Sequence, residues 1–187
     1  MSKSPKGEAR RRTARQKPGG DRRTEGPLRS WEALLVRAGC DPGVIAHARA
    51  VTRLALTFSD SPVVDRDLVR AGAMLHDIGR RETHGIAHAQ RGAGIARGLG
   101  LDERIASIIE RHIGAGLTAD ECSLEGLVPR DCLPVTVEEK IVANADNLVA
   151  GTRETVIEET LGGATWLKKR VRKRICRLYL EMEVYRN

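Results

Sequence analysis

The sequence predicts an all-α protein, and three observations carry that prediction. Aromatic residues make up only 3% of the 187 residues, while alanine, leucine and arginine abound, a balance that favours packed helices over aromatic-rich sheets. Apolar residues recur at intervals of three and four. Helix starts are signalled repeatedly by capping residues. The length suits one domain plus a tail, and the expected layout is an irregular bundle of six to eight helices joined by short loops.

The elements follow in order. "RSWEALLVRAGC" reads as a short amphipathic helix capped by Ser30 and stopped at Gly39. In "DPGVIAHARAVTRLALTFSD", Asp41 is the N-cap and Pro42 the first helical residue of a long core helix carrying His47. Ser61-Pro62 makes a turn, and a helix from Asp65 or Asp67 runs through "AGAMLHDIG" to an expected stop at Gly79. After a polar loop to Gly85, "HAQRGAGIARGLG" and "LDERIASIIERHIGAG" give two further helices, the second capped by Asp102. Thr118 to Glu121 and Thr136 to Glu139 are capping boxes that mark two more starts. The second opens a helix with Val137, Ile141, Ala145 and Leu148 on one stripe and Asp146 near its edge. A final basic amphipathic helix is expected over 164–186, its apolar stripe formed by Leu167, Val171, Ile175, Leu178, Met182 and Tyr185.

Charge is segregated along the chain. Residues 1–30 hold 10 Lys/Arg against 3 Asp/Glu, residues 31–167 hold 14 against 20, and residues 168–187 hold 8 against 2. Residues 1–27 lack apolar periodicity and are rich in Arg, Lys, Gly and Pro, so a disordered basic tail is expected there, ahead of one domain over 28–187. The basic ends could touch nucleic acid. No apolar run approaches membrane-spanning length and no secretory signal is visible, which points to a cytoplasmic protein without a membrane partner. Cys40, Cys122, Cys132 and Cys176 are scattered without a CxxC pair, so neither a thiolate zinc site nor a disulfide framework is expected.

All five histidines, His47, His76, His84, His88 and His112, fall between residues 47 and 112. Three sit on apolar-patterned helices, where one alone would be an ordinary buried residue. Together with Asp77 and Asp146 they form a donor set suited to Fe, Mn, Co, Ni or Zn, with Mg disfavoured by the imidazoles. The glycines of "RGAGIARGLG" and "HIGAG" follow no strand and fit neither a dinucleotide fingerprint nor a P-loop.

The segments "HARAV", "MLHDIGR", "HAQRGAGIARGLGL", "IIERHIGAG" and "IVANADNL" resemble, in this order, the motifs of the HD superfamily of metal-dependent phosphohydrolases. More narrowly, the chain resembles small HDIG-containing proteins of archaeal type. The resemblance spans about residues 30–152, with the motifs at 47–146. It implies that His47, His76, Asp77 and Asp146 form the core metal site, that Asp77 bridges to a second ion, and that His88 and His112 belong to that second site. His76 and Asp77 are thereby the catalytic pair. The resemblance implies one or two divalent transition ions and water as the nucleophile on a phosphomonoester or phosphodiester, the substrate being a nucleotide or related small metabolite. Relatives with two ions often carry paired histidines where this chain has Arg111-His112. Arg80, His84 and Arg91 are the candidates for substrate contact, Arg80 because a guanidinium grips phosphate bidentately. A second reading is a nucleotide-sensing or nucleic-acid-associated regulatory protein that binds through the basic ends and turns over little or nothing; "KKRVRKRICR", residues 168–177, motivates it with seven cations.

Overall fold

The computed structural model of the protein describes Met1, residues 27–165 and residues 167–186, the side chains of residues 27–29 excepted. The expected basic tail therefore lies almost wholly outside the described residues. Among them, nine α-helices and one minimal hairpin form the all-α bundle: α1 (Pro27–Ala38), α2 (Pro42–Leu56), α3 (Arg66–Leu75), α4 (His88–Gly98), α5 (Glu103–Arg111), α6 (Ala119–Leu124), α7 (Val137–Asn147), β1 (Val149–Ala150), β2 (Arg153–Glu154), α8 (Ile157–Gly163) and α9 (Lys169–Met182). No described helix is long and apolar enough to cross a membrane.

Local chemistry explains most boundaries. Asp65 caps α3 by accepting from the Leu68 amide, Asp102 caps α5 by accepting from the Arg104 amide, and both Thr-x-x-Glu boxes are formed, at α6 and α7. Three boundaries differ from expectation. α1 begins at Pro27 rather than after Ser30, with proline in the first turn, where its missing N–H costs nothing. α3 ends at Leu75 and gives way to a 3-10 turn over Ile78–Arg81, so the stop comes before Gly79. The C-terminal helix starts at Lys169, and the separate short α8 precedes it.

The core is one cluster in which Leu35, Val51, Phe58, Met74, Leu75, Ile108, Ile109 and Ile141 are essentially inaccessible. α2 packs on α3, α4 on α5, and α7 is wedged among α2, α3 and α5, with α9 on its outer side. Two glycines permit the close crossings that matter. A Cβ at Gly79 would sit 2.0 Å from the His88 carbonyl oxygen and 2.6 Å from the Gly92 amide nitrogen. A Cβ at Gly92 would meet Ile109 at 2.9 Å and the Gly79 nitrogen at 3.0 Å. Gly79 therefore serves main-chain contact with the start of α4, which brings the turn after Asp77 against His88.

Candidate metal centre

Helix ends supply most of the polar side chains at the centre of the bundle. His76 and His112 are the C-caps of α3 and α5, Asp77 follows His76, His88 opens α4, Asp146 is one residue from the end of α7, and His47 lies within α2. Side-chain exposure is 0% for His76, 1% for His112, 3% for Asp77 and 6% for His88, against 17% for His47 and 22% for Asp146. The cluster is buried at His76, Asp77, His88 and His112 and reaches solvent past His47 and Asp146.

Each of these four histidines is oriented by the main chain. The Nδ1–H of His47 donates to the Gly151 carbonyl at 2.7 Å, that of His76 to Ala73 at 2.8 Å, that of His88 to Gly85 at 2.8 Å and that of His112 to Ile109 at 2.7 Å. A carbonyl can only accept, so Nδ1 carries a proton in every case and Nε2 is the ring nitrogen turned to the interior, where it can bind a cation once it holds no proton of its own. The β1–β2 hairpin, with Gly151 in its turn at φ +62°, exists in the right place to present the first of these carbonyls.

The inward atoms converge on the two carboxylates. His47 Nε2 is 2.9 Å from Asp146 Oδ1, and His76 Nε2 is 3.5 Å from the same oxygen and 3.6 Å from Asp77 Oδ2. On the other side, Asp77 Oδ1 lies 3.1 Å from His88 Nε2 and 3.7 Å from His112 Nε2. Asp77 thus presents one oxygen to each half of the cluster.

This arrangement fits a cation and is poorly satisfied without one. His76 Nε2 and Asp77 Oδ1 are buried with no hydrogen-bond partner, a state that costs roughly 1–3 kcal/mol per group. His88 Nε2 and His112 Nε2 face each other at 3.0 Å, although both rings carry their proton on the far nitrogen. Two unprotonated nitrogens that close repel each other unless a cation sits against both, and His88 and His112 are residues that would hold it. Two overlapping groups have ligand atoms close enough to hold an ion: His47, His76 and Asp146, and His76, Asp77 and His112.

The electrostatics agree. Burial alone would lower the His76 pKa, but the charges of Asp77 and Asp146 push it up to about 9. Burial, reinforced by the charge on His76, pulls His112 down to about 3. Burial works against ionisation of Asp77 and Asp146, yet the imidazoles around them hold both well below the usual carboxylate range. The centre favours one positive charge between two carboxylates.

Residues 44–151 match the family model of the HD domain. The chain belongs to the HD-domain family. The chain is 50% identical over 127 residues to an uncharacterised protein of Methanocaldococcus jannaschii, covering 65% of this chain and 75% of that protein. It is 44% identical over 128 residues to a tRNA (cytidine(56)-2'-O)-methyltransferase of Thermoplasma volcanium, covering 68% of this chain but only 38% of the relative. Among solved structures, the HD domain of the Listeria monocytogenes phosphodiesterase PgpH superposes with a TM-score of 0.49 at 18% identity, over 84% of this chain and 97% of that domain.

The three residues proposed from sequence for substrate contact lie in different settings around the HD centre. Arg80 Nε donates to Asp77 Oδ2 at 2.6 Å, and its Nη1 reaches the His84 carbonyl at 3.3 Å. Arg80 therefore pins the Asp77 carboxylate and the loop beyond it, an orienting role that sequence reasoning missed. Adjacency to the motif was visible, but not which way the guanidinium turns. The His84 side chain is 68% exposed, with Nε2 3.9 Å from Asp41, and Arg91 is 56% exposed beside Glu82. Neither joins the cluster.

Proposed function

We propose that this HD protein is a metal-dependent phosphohydrolase that cleaves a phosphomonoester or phosphodiester of a nucleotide or related small metabolite with water. The observation that carries this reading is the set of four imidazoles anchored through Nδ1–H and aimed through Nε2 at Asp77 and Asp146, with buried donor atoms left over for a cation. His47, His76 and Asp146 would hold one ion, and Asp77, His88 and His112 a second, Asp77 reaching both. Imidazole and carboxylate together favour Fe, Mn, Co, Ni or Zn. Such an ion supplies Lewis acidity toward phosphoryl oxygens and makes water far more acidic than in bulk.

The chain's own residues do the rest. The main-chain carbonyls fix the imidazole tautomers and orientations, as outer partners of metal ligands do. Arg80 holds Asp77 against rotation through Nε and the His84 carbonyl through Nη1, which leaves Nη2 for a phosphoryl oxygen at the same place. The half-open side between His47 and Asp146 is where a phosphoester would enter, while the buried His76, Asp77 and His112 exclude water from the far side. The matched segment is little more than a third of the methyltransferase, so that relative's activity is not carried over.

The test is elemental analysis of protein purified without chelator, with hydrolysis of a generic phosphodiester and a nucleotide panel, for wild type and Asp77→Ala. One or two transition ions per chain in wild type, with metal and hydrolysis both lost in the variant, are expected. A wild type that holds no transition ion and gains no turnover from added Mn, Co or Fe refutes the reading.

A further inference from the structure

We propose that the outer face of α9 is a docking surface for a nucleic-acid backbone, separate from the metal centre and outside the segment matched by the family. α9 turns its apolar stripe inward: Ile175, Leu178 and Met182 are buried, and Val171 and Tyr179 pack against the core. The face left to solvent is cationic. Of the seven basic residues over 168–177, Arg170 and Arg174 flank the helix and are committed to Glu121. Lys168, Lys169, Arg172, Lys173 and Arg177 form no ion pair with any described residue.

That contrasts with most arginines elsewhere on the surface, although Arg37, Arg53 and Arg81 also form no ion pair with a described residue. Arg49, Arg66, Arg97, Arg104, Arg130 and Arg153 each reach a carboxylate of a neighbouring segment or turn. On a domain whose residues 31–167 carry six more acidic than basic residues, unpaired cations gathered on one helix are not a side effect of composition.

Their geometry points to a repeating anion. Lys169, Lys173 and Arg177 recur every four residues, so they form one row with steps of about 6 Å along the axis, and Arg172 stands beside it. Between this row and α8 lies a shallow depression of about 230 Å³ bounded by Leu161, Lys169, Arg172, Lys173 and Cys176. The Arg172 Nε is buried without a hydrogen-bond partner. Three cations, Lys169, Arg172 and Lys173, therefore border one depression, and their charged heads can hold a phosphate at its rim.

The face lacks the features of other partners. A helix that lies on a membrane keeps its apolar side free for the acyl boundary, whereas that of α9 is buried in the bundle. A protein interface concentrates its binding in buried aromatic and apolar anchors, and this row offers none before the exposed Leu180 at its end. A nucleic-acid backbone, read through its phosphates rather than its bases, fits what remains.

The experiment measures binding of the full-length protein to labelled single-stranded RNA, duplex RNA and duplex DNA of equal length across a salt series. The variants are K169Q/K173Q/R177Q, the charge-preserving K169R/K173R/R177K, and R10Q/R11Q/R12Q as a control for the basic N-terminal segment, each checked for an unchanged melting temperature. Expected is salt-dependent binding of at least one of the three nucleic acids. The glutamine triple should weaken it about 10-fold or more and shallow the log K against log salt slope by roughly 2 to 3. The charge-preserving triple should bind like wild type. Equal affinity and slope in the glutamine triple overturn the proposal, as does loss confined to the N-terminal control. Binding of anionic phosphatidylserine vesicles that depends on the same row, without binding of any nucleic acid, overturns it as well.

Discussion

Two buried carboxylates in this chain have nearly the same exposure and opposite hydrogen-bond accounts. Glu121, 7% exposed, sits between α6 and α9: Oε1 accepts from Arg170 at 3.0 Å, and Oε2 accepts from Arg174 at 2.7 Å and from the Thr118 amide at 3.0 Å. Asp77, 3% exposed, has one oxygen held by Arg80 and the other, Oδ1, without any donor in a ring of imidazole nitrogens. The first is a clasp, complete in itself. The second is a candidate ligand set, with a buried oxygen that a cation could satisfy. Burial alone does not separate structural from functional polar groups; whether the protein satisfies them does.

Removing Asp77 breaks the comparison most sharply. Asp77→Ala should abolish metal uptake and hydrolysis, while Glu121→Gln should leave metal content unchanged, both read by elemental analysis. Gly79→Ala should come next. Its methyl would meet main-chain atoms of α4 that cannot swing aside, so we expect a loss of about 3 kcal/mol or more, read by denaturant unfolding, together with weakened metal retention as Asp77 and His88 are pushed apart. Arg80→Gln sharpens the picture, because it tests an orienting group without touching a ligand: metal affinity should fall about 10- to 100-fold with the melting temperature of the metal-free protein little changed. Glu121→Gln should cost roughly 1–3 kcal/mol, limited by the partial exposure of Arg170.

The smallest effect is in the acid limb of stability. Burial works against ionisation of Glu121, but Arg174, the Thr118 amide and Arg170 hold its folded carboxyl below the ordinary value of 4.5. A group depressed on folding contributes its stability above the unfolded value and loses it as pH falls through the folded one. The clasp is therefore fully present above about pH 4.5 and fades below it, and Glu121→Gln should flatten that part of the acid unfolding curve.

The fold and much of this contrast were legible in the sequence where the determinants are local. Both capping boxes, the Asp41-Pro42 start and the Asp102 cap depend on residues within a turn of each other, and all appear as expected. The donor set of the centre was legible from residue type and from motif order, and His47, His76, Asp77, His88, His112 and Asp146 do come together. What was not legible depends on distant partners. The direction of Arg80, the close approach at Gly79, and the Gly151 carbonyl 104 residues from His47 are set by packing. The β1–β2 hairpin and α8 were missed because two-residue strands and a seven-residue helix carry too little periodicity. The clasp was half visible: Glu121 was read as a capping-box residue, and its second use by Arg170 and Arg174 needed α9 in place.

The central claim is that the uncompensated half of this comparison is a metal centre held through the four Nε2 atoms and two carboxylates. The most direct measurement is anomalous diffraction from crystals of the protein grown with Mn or Fe. The account predicts density for one or two ions between Asp77, Asp146 and the Nε2 atoms of His47, His76, His88 and His112, absent in Asp77→Ala crystals grown alike. Ions bound elsewhere, or a centre in which those imidazoles turn away to other partners, would contradict it.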